Sequence, residues 1–315
     1  MNYASGGGDT QFGKGWDISL PSIQRNAAFG PPFDYENFSS DYADERGFVL
    51  NLHGSAVDLD TYLGSDLSDP DCERWAASTE VQWIHACFDR SSNSWTVRDR
   101  NGSEHVFGAA TTNARTGRST GVAEGTFGWF FTSSSDPNGN RIAYSYDHTN
   151  GHAYPSQIDW GGNSVAGILP MFHARFVREA RPDLKRSYRG GFADVIAERV
   201  VSISVWADTA NGGSATNPLY NHRFSYSEAA DTGCSQLTSA ALETATGQEL
   251  IKSARFTYSQ GAARLLHSLP YLGSDWQSPA GAAGTDGHGG QYTGWIDING
   301  DGLLDRVQIE DVGAG

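Results

Sequence analysis

Along most of the chain, apolar and polar residues alternate one for one, the period that a half-buried β-strand requires. In "SWTVRD" (94–99) Trp95 and Val97 alternate with Thr96 and Arg98, and "RNGSEHVFG" (100–108) follows with His105 and Phe107. Asn101-Gly102 between them predicts a two-residue hairpin. "FGWFFTSSSDPNGNRIAYSYD" (127–147) repeats the plan: an aromatic strand, a turn at Asp136 to Asn140, then Ile142, Tyr144 and Tyr146 on one face. "ERVVSISVWAD" (198–208) is the clearest strand, with Val201, Ile203 and Val205 expected to share a face, and Phe172, Ala174 and Phe176 suit another. A helix is expected only around Ser239 to Glu249.

"RIAYSYD" (141), "HRFSYSE" (222) and "ARFTYSQ" (254) echo one another, each placing two aromatic residues two apart beside an arginine. Repeated hairpins of this kind build extended sheets. The polar stretch 208–221 reads as a loop, and the Gly/Ala/Pro-rich stretch 273–291 as a linker. The organisation expected is a β-sheet domain over 1–270, a linker over 271–290 and a hairpin over 291–315. The fold class is therefore all-β, with extended twisted antiparallel sheets followed by the beginning of a β-propeller-type blade.

Composition agrees with strands joined by tight turns: 38 Gly, nine Trp and 28 Tyr plus Phe in 315 residues. Lys and Arg number 22 against 37 Asp and Glu, a net charge of −15. Such a surface repels phosphate backbones, which argues against nucleic acid as a partner. The dense basic stretch "REARPDLKRSYR" (178–189) is broken by Glu179 and Asp183 and reads as a solvated strand edge or loop. Nothing approaches 18 consecutive apolar residues, so no membrane span is expected, and the start "MNYASGGGD" lacks the plan of a secretion signal.

"GGGDTQFGKG" (6–15) places Gly8, Gly13 and Lys14 as a P-loop would, but Gly15 stands where Mg²⁺ needs Ser or Thr. "WDISLPS" then alternates as a strand and not as the helix that would hold phosphate. Cys72, Cys87 and Cys234 include no CxxC pair. Cys72 and Cys87 bridge if neighbouring strands bring them together; buried free thiols are the simpler expectation. No GxSxG, HExxH or dinucleotide fingerprint occurs. His85, His105, His148, His152, His173, His222, His267 and His288 are scattered and read as ordinary strand or loop residues.

The sharpest chemical signal is "GWIDINGDGLLDRVQI" (294–309). Asp297, Asn299, Asp301 and Asp305 alternate as oxygen donors on a turning loop, and the Leu303 carbonyl adds another. Such a set suits Ca²⁺, which takes six to eight hard oxygen ligands. Gln308 stands where an EF-hand needs its bidentate Glu, and the flanks read as strands. The loop thus reads as that of a β-propeller blade or a similar hairpin, the alternative being an acidic Asx-rich turn that holds no metal, since Asp, Asn and Gly are the residues turns prefer.

Several blocks together resemble one family. "YASGGGDTQFGKGWDISLPSIQRN", "WTVRDRNGSEHVFG", "WFFTSSSDPNGNRIAYSYD" with "YPSQIDWGG", and "RPDLKRSYRGGF" with "RVVSISVW" resemble, in order, the SpvB-type N-terminal domain. That domain opens the B components of bacterial insecticidal toxin complexes and related Rhs/YD-repeat proteins. "GWIDINGDGLLDRV" resembles the first calcium-loop blade of the FG-GAP/VCBS-type propeller that follows it there.

The resemblance implies a non-enzymatic structural module, part of a β shell that encapsulates a C-terminal toxin and helps to deliver it. It implies as partners the remainder of a longer chain or toxin-complex subunits, an A-type translocation channel and a C-type toxin component. It also implies export by a signal-peptide-independent route, and a chain that is a piece of a longer product. No catalytic or cofactor-binding residue carries over. The alternative expectation is a calcium-dependent adhesion or carbohydrate-binding module displaying exposed tryptophans.

Overall fold

The computed structural model describes residues 1–4, 7–27, 47–52, 54–61, 72–79, 83–89, 91–111, 114–115, 125–149, 152–190, 193–208, 214–230, 232–258, 292–296 and 305–309. Contacts divide the chain into two units, Met1–Glu228 with Cys234–Thr257, and Ala229–Gly233 with Tyr258–Gly315. No helix occurs among the described residues. In the first unit, β1 (Asn2–Tyr3), β2 (Asp9–Thr10), β3 (Gly13–Lys14) and β4 (Trp16–Asp17) form a small nested hairpin, β1 pairing with β4 and β2 with β3. Then follow β5 (Ser22–Arg25), β6 (Phe48–Leu52), β7 (Ser55–Thr61), β8 (Cys72–Ala77), β9 (His85–Asp89), β10 (Ser94–Arg98) and β11 (Glu104–Thr111). The short pair β12 (Ala114–Arg115) and β13 (Gly125–Thr126) precedes β14 (Gly128–Ser135).

Strands β5 to β11 pair antiparallel in chain order, and β14 pairs with both β11 and β5, so these eight strands close a ring. Closure removes the free edges that an open sheet would expose. Alternation fills the interior: Phe48 and Leu50 from β6, Leu59 from β7, Trp95 and Val97 from β10, Phe107 from β11 and Trp129 from β14 are all fully buried. Trp95 meets Phe48, Phe88 and Trp129 at centroid distances of 4.8, 4.9 and 5.8 Å. Burying each such side chain contributes about 1.5–3 kcal/mol. The antiparallel expectation holds, but ring closure is additional to the extended sheets expected.

From the far half of β14 the sheet continues as an antiparallel meander: β15 (Asn140–Thr149), β16 (His152–Asn163), β17 (Phe172–Ser187), β18 (Asp194–Ala207), β19 (Tyr220–Glu228), β20 (Ser235–Glu243) and β21 (Glu249–Arg255). One edge of β14 is divided: Gly128–Phe130 bond β5, whereas Ser133–Ser135 bond β15. The expected helix at Ser239 to Glu249 is absent, because Ser235–Glu243 is held by its ladder to β19 and Gly247 turns the chain at φ 83° into β21.

The turns share one chemistry. Gly102, Gly139 and Gly247 donate their amides to the carbonyls of Asp99, Asp136 and Thr244, three residues earlier, and each glycine has positive φ. This is a type I turn followed by a left-handed glycine, which makes a three-residue loop. The 10–11 hairpin therefore turns over Arg100–Gly102, one residue more than Asn101-Gly102 alone; Asn101 does not take the positive φ that a two-residue loop needs. Asp99 and Asp136 also accept backbone N–H bonds from inside their turns.

Two phase changes depart from the expected alternation. In β18, Val177↔Ser202 is followed by Arg178↔Val200, so Val201 is a bulge and Val200, not Val201, joins Ile203 on the core face. Near the N-terminus the expected single strand over "WDISLPS" is interrupted: Trp16–Asp17 pair with β1, Ser19 takes φ 47° and breaks the run, and only Ser22 resumes pairing, as the start of β5.

Cys72 and Cys87 are joined in a disulfide, with Cα atoms 5.4 Å apart on adjacent strands β8 and β9. This replaces the expected free thiols, since strand adjacency is not readable from a spacing of 15 residues. The second unit contains β22 (Tyr292–Ile296) paired antiparallel with β23 (Asp305–Ile309), Ile296 opposite Asp305.

Candidate functional site

The glycine-rich N-terminal segment is a plug and not a phosphate cradle. Phe12, at the tip of the β2–β3 hairpin, is fully buried against Phe176, Val200, Ile203 and Phe224 of the meander. Gly13 has φ 90°, and a Cβ there would lie 2.7 Å from the carbonyl oxygen of Ser235. The Gly13 backbone must therefore pass closer to β20 than any side chain allows.

Behind the hairpin lies a mixed-charge cluster built by a distortion of β17. Between Ala180↔Glu198 and Lys185↔Ile196, β17 spends Arg181, Pro182, Asp183 and Leu184 against the single Ala197 of β18. Pro182 has no amide to lose from the ladder, so the bulge suits it. The bulge aims Arg181 inward. Its guanidinium forks onto Asp183 at 3.0 and 2.8 Å and donates to the Thr10 carbonyl at 2.9 Å.

Asp183 in turn accepts the amide and the hydroxyl of Ser235. Burial alone would raise its carboxyl, but the bonds from Arg181 and Ser235 outweigh it and hold the group well below the usual carboxylate range. Lys185 completes the cluster, with Nζ 3.0 Å from Cys234 Sγ, 3.5 Å from Asp9 Oδ2 and 3.9 Å from Asp183 Oδ2. The expectation of a solvated basic edge is thus corrected for Arg181, which is buried with its charge matched.

Asp9, Asp183 and Cys234 stand close enough to hold a metal ion. The donor set does not fit one, because the Lys185 ammonium already supplies the positive charge and both Asp183 oxygens are taken.

Asp9 and Thr10 also line a cavity of about 530 Å³, together with Gln11, Ser22, Asn51, Tyr146 and His152. Gln11 is buried and its Oε1 has no hydrogen-bond partner. His152 Nδ1 lies 2.8 Å from Asp194 Oδ1, and its ring meets Tyr154 edge-on. Tyr146 donates its hydroxyl to the Phe131 carbonyl, and burial beside Tyr144 pushes its phenol up.

Other histidines expected to be ordinary also have carboxylate partners. His105 Nε2 is 3.4 Å from Asp99, and His173 Nδ1 is 2.5 Å from Asp159. The partners are 6 to 42 residues away in sequence, so no local motif marks them. His267 and His288 lie outside the described residues.

Of the calcium-loop residues, Asp297, Asn299, Asp301 and Leu303 also lie outside the described residues, while Asp305 opens β23. The strands expected on both flanks are present as β22 and β23.

The profile of a family described as Salmonella virulence plasmid 65kDa B protein, SpvB, matches residues 1–164. The chain belongs to this family. The mono(ADP-ribosyl)transferase SpvB of Salmonella choleraesuis (strain SC-B67) is 29% identical over 176 residues, covering 52% of this chain and 28% of that protein. The counterpart from Salmonella typhimurium is 30% identical over the same length and coverage.

This SpvB-family chain thus spans little more than a quarter of the length of the curated relatives it matches. Among solved structures, the N-terminal domain of effector protein SpvB from Salmonella typhimurium strain LT2 superposes with a TM-score of 0.59 at 20% identity, covering 77% of this chain and 92% of that one. The Photorhabdus luminescens Tc holotoxin pore gives 0.62 at 15% identity, covering 81% and 14%. At these identities the likeness establishes a common fold.

Proposed function

We propose that this SpvB-family domain is a non-enzymatic structural module of a bacterial toxin complex, forming part of a β shell that encloses a C-terminal toxin and helps to deliver it. The observation that carries the reading is the unbroken antiparallel succession from the closed ring through β21, in which each strand after β14 pairs with its sequence neighbour. A sheet built in this way grows by addition and suits a wall. Its partners on this reading are the rest of a longer chain or toxin-complex subunits, an A-type channel and a C-type toxin component.

The tryptophans bear on the adhesion alternative. Trp75, Trp95 and Trp129 fill the ring interior and Trp206 is buried against His173. None of these four offers a sugar-stacking face, whereas Trp83 is exposed and keeps that alternative open.

The test is protection. A C-type component carrying a protease-sensitive passenger is assembled with the full gene product and digested. A passenger that survives in the assembly and is cut when the component stands alone supports the reading. Equal digestion in both settings overturns it.

A further inference from the structure

We propose that Lys185 and Cys234 form an oxidative cross-linking site, at which dioxygen joins the lysine ε-nitrogen to the cysteine sulfur through a single oxygen atom. Nζ and Sγ stand 3.0 Å apart, although the residues are 49 positions apart in sequence. The approach is fixed from both sides. Asp183, two residues before Lys185 on β17, accepts the amide and hydroxyl of Ser235, the residue that follows Cys234. Arg181 locks Asp183 in turn through two nitrogens. From the N-terminal hairpin, Asp9 faces the same ammonium at 3.5 Å.

Three further observations make the pair suited to reaction. Cys234 is not in a disulfide, and Cys72–Cys87 already takes up the other two cysteines. Disulfides such as that bridge persist in oxidising settings, which the proposed reaction also requires. The Lys185 side chain is 26% exposed, so a small oxidant reaches it from solvent.

The chemistry balances with dioxygen as the sole oxidant. The ammonium, the thiol and O₂ give the N–O–S bridge, one water and one proton. The N–H and S–H bonds are replaced by N–O and S–O bonds, nitrogen and sulfur each lose two electrons, and O₂ takes up all four. One oxygen stays in the bridge and the other leaves as water. The proton passes through Asp9 to solvent. Because Asp9 and Asp183 hold the amine protonated against Arg181 and the thiol, formation quickens as the pH rises into the range where lysine loses its proton.

The cross-link would tie β17 to the start of β20 across the two intervening strands, a connection that sheet hydrogen bonds do not make. The test uses the full chain, purified anaerobically with reductant and then exposed to air. Peptide mass spectrometry should find a linked Lys185–Cys234 pair heavier than the separate peptides by one oxygen less two hydrogens, reversed by excess thiol. Cys234→Ser and Lys185→Arg should each abolish it; the arginine keeps the charge, and circular dichroism checks that both variants fold. A folded wild type that yields no linked pair, or only sulfinic acid at Cys234 with Lys185 unmodified, overturns the proposal.

Discussion

The amide of Ser235 donates to Asp183 Oδ2 at 2.6 Å, although 52 residues separate the two in the chain. That bond joins β20 to the bulge in β17 and places the Asp183 carboxylate beneath the buried Arg181 guanidinium. The consequence is steep sensitivity to the loss of one partner. Asp183→Asn should cost about 3–5 kcal/mol of stability, because it strands a buried charge. Urea unfolding followed by tryptophan fluorescence reads the loss.

The same carboxylate sets an acid limit. Its pKa is depressed in the folded state, so its contribution is present above the unfolded carboxylate value of about 3.9 and fades as pH falls below it toward the folded value. Thermal midpoints of the wild type should therefore drop faster below about pH 4 than those of the Asn variant.

His173 carries the opposite sign. Burial lowers its pKa, but the Asp159 contact at 2.5 Å and Asp208 at 3.3 Å outweigh burial and raise it above the ordinary value. A raised group stabilises fully below the unfolded value of about 6.5 and loses that contribution as pH rises through the folded value. His173→Gln should therefore be most destabilising in mild acid and approach the wild type in alkali. A variant deficit that does not change with pH would show that His173 contributes only by packing on Trp206.

Two tryptophans in the ring separate packing from hydrogen bonding. Trp129 Nε1 donates to Asn93 Oδ1 at 3.0 Å, whereas Trp95 Nε1 is buried with no partner. Trp129→Phe should cost more than Trp95→Phe by about 1 kcal/mol, since it alone forfeits a bond. Trp95→Ala should cost about 3–5 kcal/mol through the cavity it opens. Equilibrium unfolding of the three variants checks the order.

The loop from Asp297 to Asp305 is a separate matter of ligand linkage. If it binds Ca²⁺, the cation should raise the thermal midpoint of the wild type, chelator should reverse the rise, and Asp297→Ala with Asp301→Ala should abolish it. No shift at millimolar Ca²⁺ would count against a bound ion.

The strands and most turns were legible because their determinants are local. Trp95, Val97, His105 and Phe107 alternate as expected, and an Asp three residues before Gly102 or Gly139 marks each turn. Ring closure was not legible, since β11 finds β14 through pairings such as His105↔Ser134, which no local pattern encodes. The bulge at Val201 was hidden for a related reason: a run of apolar residues fits either phase.

The buried cluster escaped for another reason. Mixed charges in 178–189 match an exposed edge, and only Pro182 inside a strand hinted at a bulge that turns Arg181 inward. The histidine pairs and the Cys72–Cys87 bridge depend on which strands become neighbours.

The divided edge of β14 has a mechanical corollary. Gly128–Phe130 are bonded to one neighbour and Ser133–Ser135 to another within a single peptide run, so a pull on the meander is transmitted along that run into the ring. Each of the two ladders has only three residue pairs, so the covalent run of β14 is itself the tether that carries load from one part to the other.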